Sequence, residues 1–152
     1  MPVRVPSVSD VTACLVIPAP PGQVWKLIMD PERLEDWVTI HRRLRSADAG
    51  PPREGFAMDQ EISLRGVQFR VRWELAECRP SELAIWEGRG PARSKAHTEY
   101  RLSARGEETR FDYQNSFKAP MGPLGAVASR ALVGGVPQRE ANRSLERLRS
   151  LF

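Results

Sequence analysis

Two cysteines and two histidines in 152 residues leave little material for metal or redox chemistry. Cys14 and Cys78 have neither the spacing of a metal clip nor that of a redox CxxC pair, and two thiols make a poor disulfide framework. Both are expected to be reduced side chains that fill space. His41 and His97 stand apart, with no ligand cluster around either, so no metal and no cofactor is expected. No apolar run approaches the roughly 20 residues that span a bilayer, which excludes insertion as a membrane helix. The stretch MPVRVPSVSD holds no apolar segment of signal-peptide length, so a cytoplasmic location is expected. Lysine is scarce too, and nearly all of the cations behind the formal charge of +4 are arginines. They are scattered among acids: Arg70 and Arg72 precede Glu74 and Glu77, and Arg139, Arg143, Arg147 and Arg149 accompany Glu140 and Glu146. No nucleic-acid motif goes with them, so nucleic acid is not an expected partner.

What the chain does have is the balance of a soluble globule, with 41% hydrophobic and 28% charged residues. Its length suits one domain, residues 1–152, with a sizeable core. In SDVTACLVI, residues Val11, Ala13, Leu15 and Ile17 fall on one face of a strand, which Pro18, Pro20 and Pro21 stop. GQVWKLIMD carries Val24, Leu27 and Ile28 at helical spacing. DPERLEDW follows, with Asp30 placed to cap and Pro31 in the first turn of a second small helix. VTIHRRLRSADAG is only loosely patterned and ends in the turn signal Gly50-Pro51-Pro52.

Period-two alternation then dominates from Phe56 to Phe117. Met58, Gln60, Ile62 and Leu64 share one face, and a hairpin is expected at Arg65-Gly66. Val67, Phe69, Val71, Trp73 and Leu75 share the next. SELAIWEGRG, KAHTEYRLS and ETRFDYQNSF complete five sequential strands, to which the first strand must be added. Thereafter an apolar stripe at Leu124, Val127, Ala128, Ala131 and Leu132 resumes at Ala141, Leu145, Leu148 and Phe152. Read as one helix, this segment of about 28 residues is roughly 40 Å long, with a bend at Gly134-Gly135 and Pro137.

The order of strand, two small helices, strands and long helix specifies an α+β helix-grip fold: a curved antiparallel sheet wrapped around the C-terminal helix. IPAPPGQVWKLIMDPERLEDW resembles the opening signature of the SRPBCC superfamily, the START and Bet v 1-like proteins, in particular the polyketide cyclase/dehydrase and lipid-transport branch. Ile17, Val24, Trp25, Asp30, Pro31 and Trp37 match that signature. WEGRGP and the SLERLRSLF ending are also similar, and the resemblance covers essentially the whole chain.

The resemblance implies an apolar cavity between sheet and terminal helix that takes a lipid- or polyketide-like molecule. Periodicity shows only that an apolar sheet face meets an apolar helix stripe; whether side chains fill the gap stays open. A volume above about 300 Å³ would mark a ligand site. The inward register supplies the candidate wall: Met58, Gln60, Phe69, Val71, Trp73, Thr98, Tyr100, Phe111, Tyr113, Asn115 and Phe117. Trp37 joins them from the second small helix, and Met121, Leu124, Ala128 and Leu132 from beyond the last strand. Each aromatic is equally well plain core. Trp73, Tyr100 and Tyr113 suit a cavity because a buried hydroxyl or indole N–H needs a partner. Asn115 either meets a loop backbone or orients a bound polar group. His97 is expected on the outer face with Glu99 and Arg101, and His41 near a cavity mouth. KAPMGPLG reads equally as a lid or as a plain connection.

Three function classes follow: binding of a small hydrophobic or aromatic molecule; a cyclase or dehydratase; and an interaction module for a partner protein or membrane lipid. For the enzyme, Glu87, Tyr100 and Tyr113 are the acid–base candidates. Glu87 shares its parity with Leu83 and Ile85, yet an inward Trp86 would leave it in water. Self-association into a homodimer is left open.

Overall fold

The computed structural model describes residues 9–118, Gly122 and residues 135–152. Seven antiparallel strands form one sheet in the order β1-β7-β6-β5-β4-β3-β2. They are β1 (Ser9–Ile17), β2 (His41–Ala47), β3 (Ala57–Leu64), β4 (Val67–Arg79), β5 (Leu83–Arg89), β6 (Lys95–Arg105) and β7 (Glu108–Lys118). Helices α1 (Pro21–Ile28) and α2 (Leu34–Trp37) lie between β1 and β2, and α3 (Val136–Ser150) ends the chain. This is the helix-grip α+β architecture.

Strand β1 and strands β3 to β7 occupy the expected stretches, and each sends alternate side chains into the core. Arg65 and Gly66 both adopt positive φ, 49° and 79°, which closes β3 and β4 as a tight two-residue hairpin. Pro21 opens α1, whose buried face is Val24, Leu27 and Ile28. Asp30 accepts from the Glu32 amide at 3.0 Å and starts the short turn that leads into α2.

Strand β2 lies in VTIHRRLRSADAG, where the sequence shows only loose patterning. Its pairing with β3 slips between His41 and Arg43 and again between Leu44 and Ser46. Each bulge turns the following side chains to the other face, so no period-two signal survives. The sheet therefore has seven strands where the sequence pattern indicates six.

The terminal helix is described from its cap at Gly135 onward. Gly135 has φ 73°, a left-handed conformation, and forms the N-cap of α3, with Pro137 in the helix's first turn. A regular helix cannot run unbroken through that backbone, so the chain is interrupted where Gly134-Gly135 and Pro137 lead one to expect it and α3 runs about 22 Å from there; the earlier stretch of the expected stripe, Leu124 to Leu132, lies outside the described residues. Its buried face, Val136, Ala141, Ser144, Leu145 and Leu148, packs against β1 and α2.

Candidate ligand pocket

The pocket lies on the concave side of the sheet, where β3, β4, β6 and β7 face α2, the loop after it and the first half of α3. Its aromatic wall follows from strand register. Tyr100 and Tyr113 are direct partners on β6 and β7 and stack at 6.0 Å. Trp37 meets Tyr100 edge-on at 5.9 Å and Phe111 at 6.4 Å. On the far side, Trp73 and Val71 lie over Gly88, where an added Cβ would come within 2.8 Å of both side chains. Glycine at that position is what lets the indole settle onto β5.

Three polar networks converge here. Trp73 Nε1 donates to Gln60 Oε1 at 2.9 Å, and Gln60 Nε2 donates to His41 Nδ1 at 2.9 Å. The amide is thereby oriented, and His41 keeps its ring proton on Nε2. Burial pushes the His41 pKa down, which favours that neutral form. Asn115 Nδ2 donates to Thr98 Oγ1, 2.8 Å away on the neighbouring strand. Asn115 thus finds its partner across the strand pair, not in a loop backbone. The third network is Thr39, whose amide donates to Ser144 Oγ at 3.0 Å and whose hydroxyl donates to Glu140 Oε2 at 2.5 Å. It ties the loop after α2 to α3.

One buried donor on the pocket wall is left without a partner among the described residues: the indole N–H of Trp37, a residue 1% exposed. Burial holds the Tyr100 hydroxyl far above its ordinary pKa and pushes Tyr113 up to about 12, the Asn115 amide opposing the latter shift. Both phenols therefore stay protonated near neutrality and act as donors, not as bases.

Of the expected wall, Trp37, Gln60, Val71, Trp73, Thr98, Tyr100, Tyr113, Asn115 and Phe117 line the pocket. Met58, Phe69 and Phe111 are buried beside it without lining it; Phe69 packs on Phe117 at 5.7 Å, and Phe111 sits behind the two tyrosines. Met121, Leu124, Ala128 and Leu132 lie outside the described residues, as does most of KAPMGPLG. Glu87 is on the outer face, half exposed, with its carboxylate 2.5 Å from His97 Nδ1. Trp86 is the inward residue of that strand, so Glu87 cannot reach the pocket.

Glu140 and Ser144 line the pocket from α3 and are absent from the expected wall, because an apolar stripe does not mark polar residues at its border. Val38 and Ile40 are absent for another cause: they lie on the approach to β2, the strand that the pattern does not reveal. The cavity volume is about 100 Å³, below the 300 Å³ expected of a deep site. Four large rings, those of Trp37, Trp73, Tyr100 and Tyr113, occupy the space that smaller side chains would leave open.

An open, curved antiparallel sheet closed by a terminal helix over an aromatic pocket defines a helix-grip protein. The chain belongs to the family described as polyketide cyclase / dehydrase and lipid transport, whose model matches residues 9–152. Among curated relatives, Toxin Rv0910 of Mycobacterium tuberculosis is 25% identical over 118 residues, 76% of this chain and 82% of the relative. Uncharacterized protein Rv1546 of the same organism is 25% identical over 142 residues, 90% and 93% of the two chains. Two solved structures share the fold: TTHA0849 from Thermus thermophilus (TM-score 0.73, 23% identity, 93% and 95% coverage) and the Zhui aromatase/cyclase from Streptomyces sp. R1128 (TM-score 0.72, 16% identity, 94% and 92% coverage).

Proposed function

We propose that the protein binds a small, mostly apolar molecule carrying one aromatic ring and one or two oxygen atoms. The observation that carries this reading is the pairing of an aromatic wall with a buried, unpartnered Trp37 N–H beside a cavity of about 100 Å³. An engineered apolar cavity of about 150 Å³ holds benzene, so a single ring exceeds the pocket at rest and enters only as the wall rings move apart. A ligand oxygen accepting from Trp37 would remove the cost of that lone donor, and Thr98 and Asn115 would orient a second polar group.

The test uses 4-methylphenol as the probe. Saturable quenching of tryptophan fluorescence is expected, with affinity at least about tenfold weaker in Asn115→Leu, the loss of roughly one hydrogen bond. No saturable quenching up to millimolar probe, together with no small molecule retained in native mass spectrometry, would overturn the reading.

A second reading, a cyclase or dehydratase, is favoured by one observation: Glu140 is an acidic residue lining the pocket, its carboxylate held by the Thr39 hydroxyl and by Arg143. In this reading Glu140 takes over the base role expected of Glu87, and the two protonated tyrosines polarise a carbonyl. Glu140→Gln should abolish turnover of a poly-β-ketone substrate while leaving 4-methylphenol affinity within about twofold. Unchanged turnover rejects it.

A further inference from the structure

One end of the sheet carries a row of cations that the described acids do not fully neutralise. By strand register Arg72 lies opposite Arg89, Arg89 opposite Lys95, and Lys95 opposite Lys118, so four positive side chains stand in line across β4, β5, β6 and β7. Like charges directly opposed on neighbouring strands destabilise a sheet, and three such pairs in succession need an explanation. All four are exposed. Arg72 shares Asp59 with Arg70, at 3.3 and 3.5 Å, while Arg89, Lys95 and Lys118 have no ion-pair partner among the described residues. Two of the chain's three lysines are in this row.

The row marks an end of the sheet, because Arg89 closes β5, Lys95 opens β6 and Lys118 closes β7. The turn joining β5 to β6 adds Arg93, exposed and with φ 65°, next to Ala92 at φ 51°. Two successive non-glycine residues in the left-handed region are strained, and the strain is held by the Ser94 hydroxyl on the Pro91 carbonyl at 2.8 Å. One rung inward on the other face are Trp73, Ala96 and Phe117, which line the pocket. Asp59 stands directly opposite Arg72 at one end of the row, and the next acids on the same face, Glu74, Glu87 and Asp10, lie one outward position farther from this end, with Glu87 engaged by His97.

We infer that this cationic end docks on an anionic phospholipid bilayer. Charges in line across the outer face of four neighbouring strands can meet a plane together, and they do so at the same end of the sheet at which Trp73, Ala96 and Phe117 line the pocket from the inner face. Single-stranded nucleic acid fits less well, because it is held by aromatic side chains on which bases stack, and the aromatics of β4 to β7 all point to the opposite, inner face. The inference goes beyond the proposed ligand reading, and docking is measured with no pocket ligand present.

The experiment is co-flotation of the full chain with phosphatidylcholine vesicles containing zero or 30% phosphatidylserine, at about 50 and 300 mM salt. Binding is expected only to the anionic vesicles, falling at the higher salt. Each cation removed from the row should weaken it by about fivefold, so Arg89→Gln/Lys95→Gln should lose about 25-fold. Arg79→Gln/Arg105→Gln, an equal charge loss at the other end of the sheet, should stay within about threefold, with neither variant's urea midpoint below that of the wild type. Equal losses in the two variants, equal binding to neutral vesicles, or preference for a single-stranded oligonucleotide over the anionic vesicles would each overturn the inference.

Discussion

Gln60 holds two jobs at once: it accepts from Trp73 and donates to His41, and neither neighbour can be changed alone without leaving a buried polar atom unpaired. Trp73→Phe strips Gln60 Oε1 of its donor and should cost about 1–3 kcal/mol in urea unfolding, whereas adding Gln60→Leu in the same chain should recover much of that loss. The two histidines set opposite pH dependences. His41, with its pKa lowered by burial, contributes stability that is present above about 6.5 and lost as pH falls through its folded value. At His97 burial pulls the pKa down, but the Glu99 and Glu87 carboxylates outweigh it and the net shift is upward. Its contribution is therefore full below about 6.5 and lost as pH rises through its folded value. Urea midpoints measured from about pH 5 to 8.5 should flatten above about 6.5 in His97→Gln and below it in His41→Gln. Sequence parity could not decide Glu87, because Leu83 and Ala84 are both buried at the start of β5 and either one sets a consistent alternation. Asn115 stands out in the sequence from its place on the inner face; its partner Thr98 depends on strand register, which pattern alone leaves undetermined.

At the scale of elements, strand alternation is legible wherever pairing is regular, in β1 and β3 to β7, and illegible in β2, where two bulges reset it. In the last helix the place of the break is legible from its glycines and Pro137, while its backbone form is not. Its apolar rhythm continues on both sides of Gly135, and rhythm carries no information about a φ of 73°. Gly135→Ala should cost about 1–2 kcal/mol in urea unfolding, since a Cβ there is forced into left-handed backbone. The attachment of α3 rests on packing plus the Thr39 network, so removing the hydroxyl frees one end of the helix before the other. Thr39→Val should cost about 1 kcal/mol and speed amide exchange around Glu140 more than around Leu148, as read by hydrogen-exchange mass spectrometry.

For the molecule as a whole, the fold is readable because element order and an alternating sheet face admit few topologies, while the size of the hollow is not. Volume depends on how four rings pack against one another, and no spacing rule encodes that. Gly88 is one control on it: Gly88→Ala pushes Trp73 and Val71 away from β5 and into the pocket. That variant should lose about 1–3 kcal/mol through overpacking and shift the tryptophan emission maximum. A wild-type chain held at about a hundred times the Kd of 4-methylphenol should gain about 2.7 kcal/mol of unfolding free energy, and Gly88→Ala should gain less.

Both margins of the sheet are also guarded. Along β1, Gln138 of α3 donates to the Thr12 carbonyl at 2.8 Å, using up an acceptor that a foreign strand would need. Along β2, paired slips and the exposed Arg42, Arg43 and Arg45 repel one. Copies of this protein crowded together are thus discouraged from zipping edge to edge into a continuous ribbon that could seed fibrils.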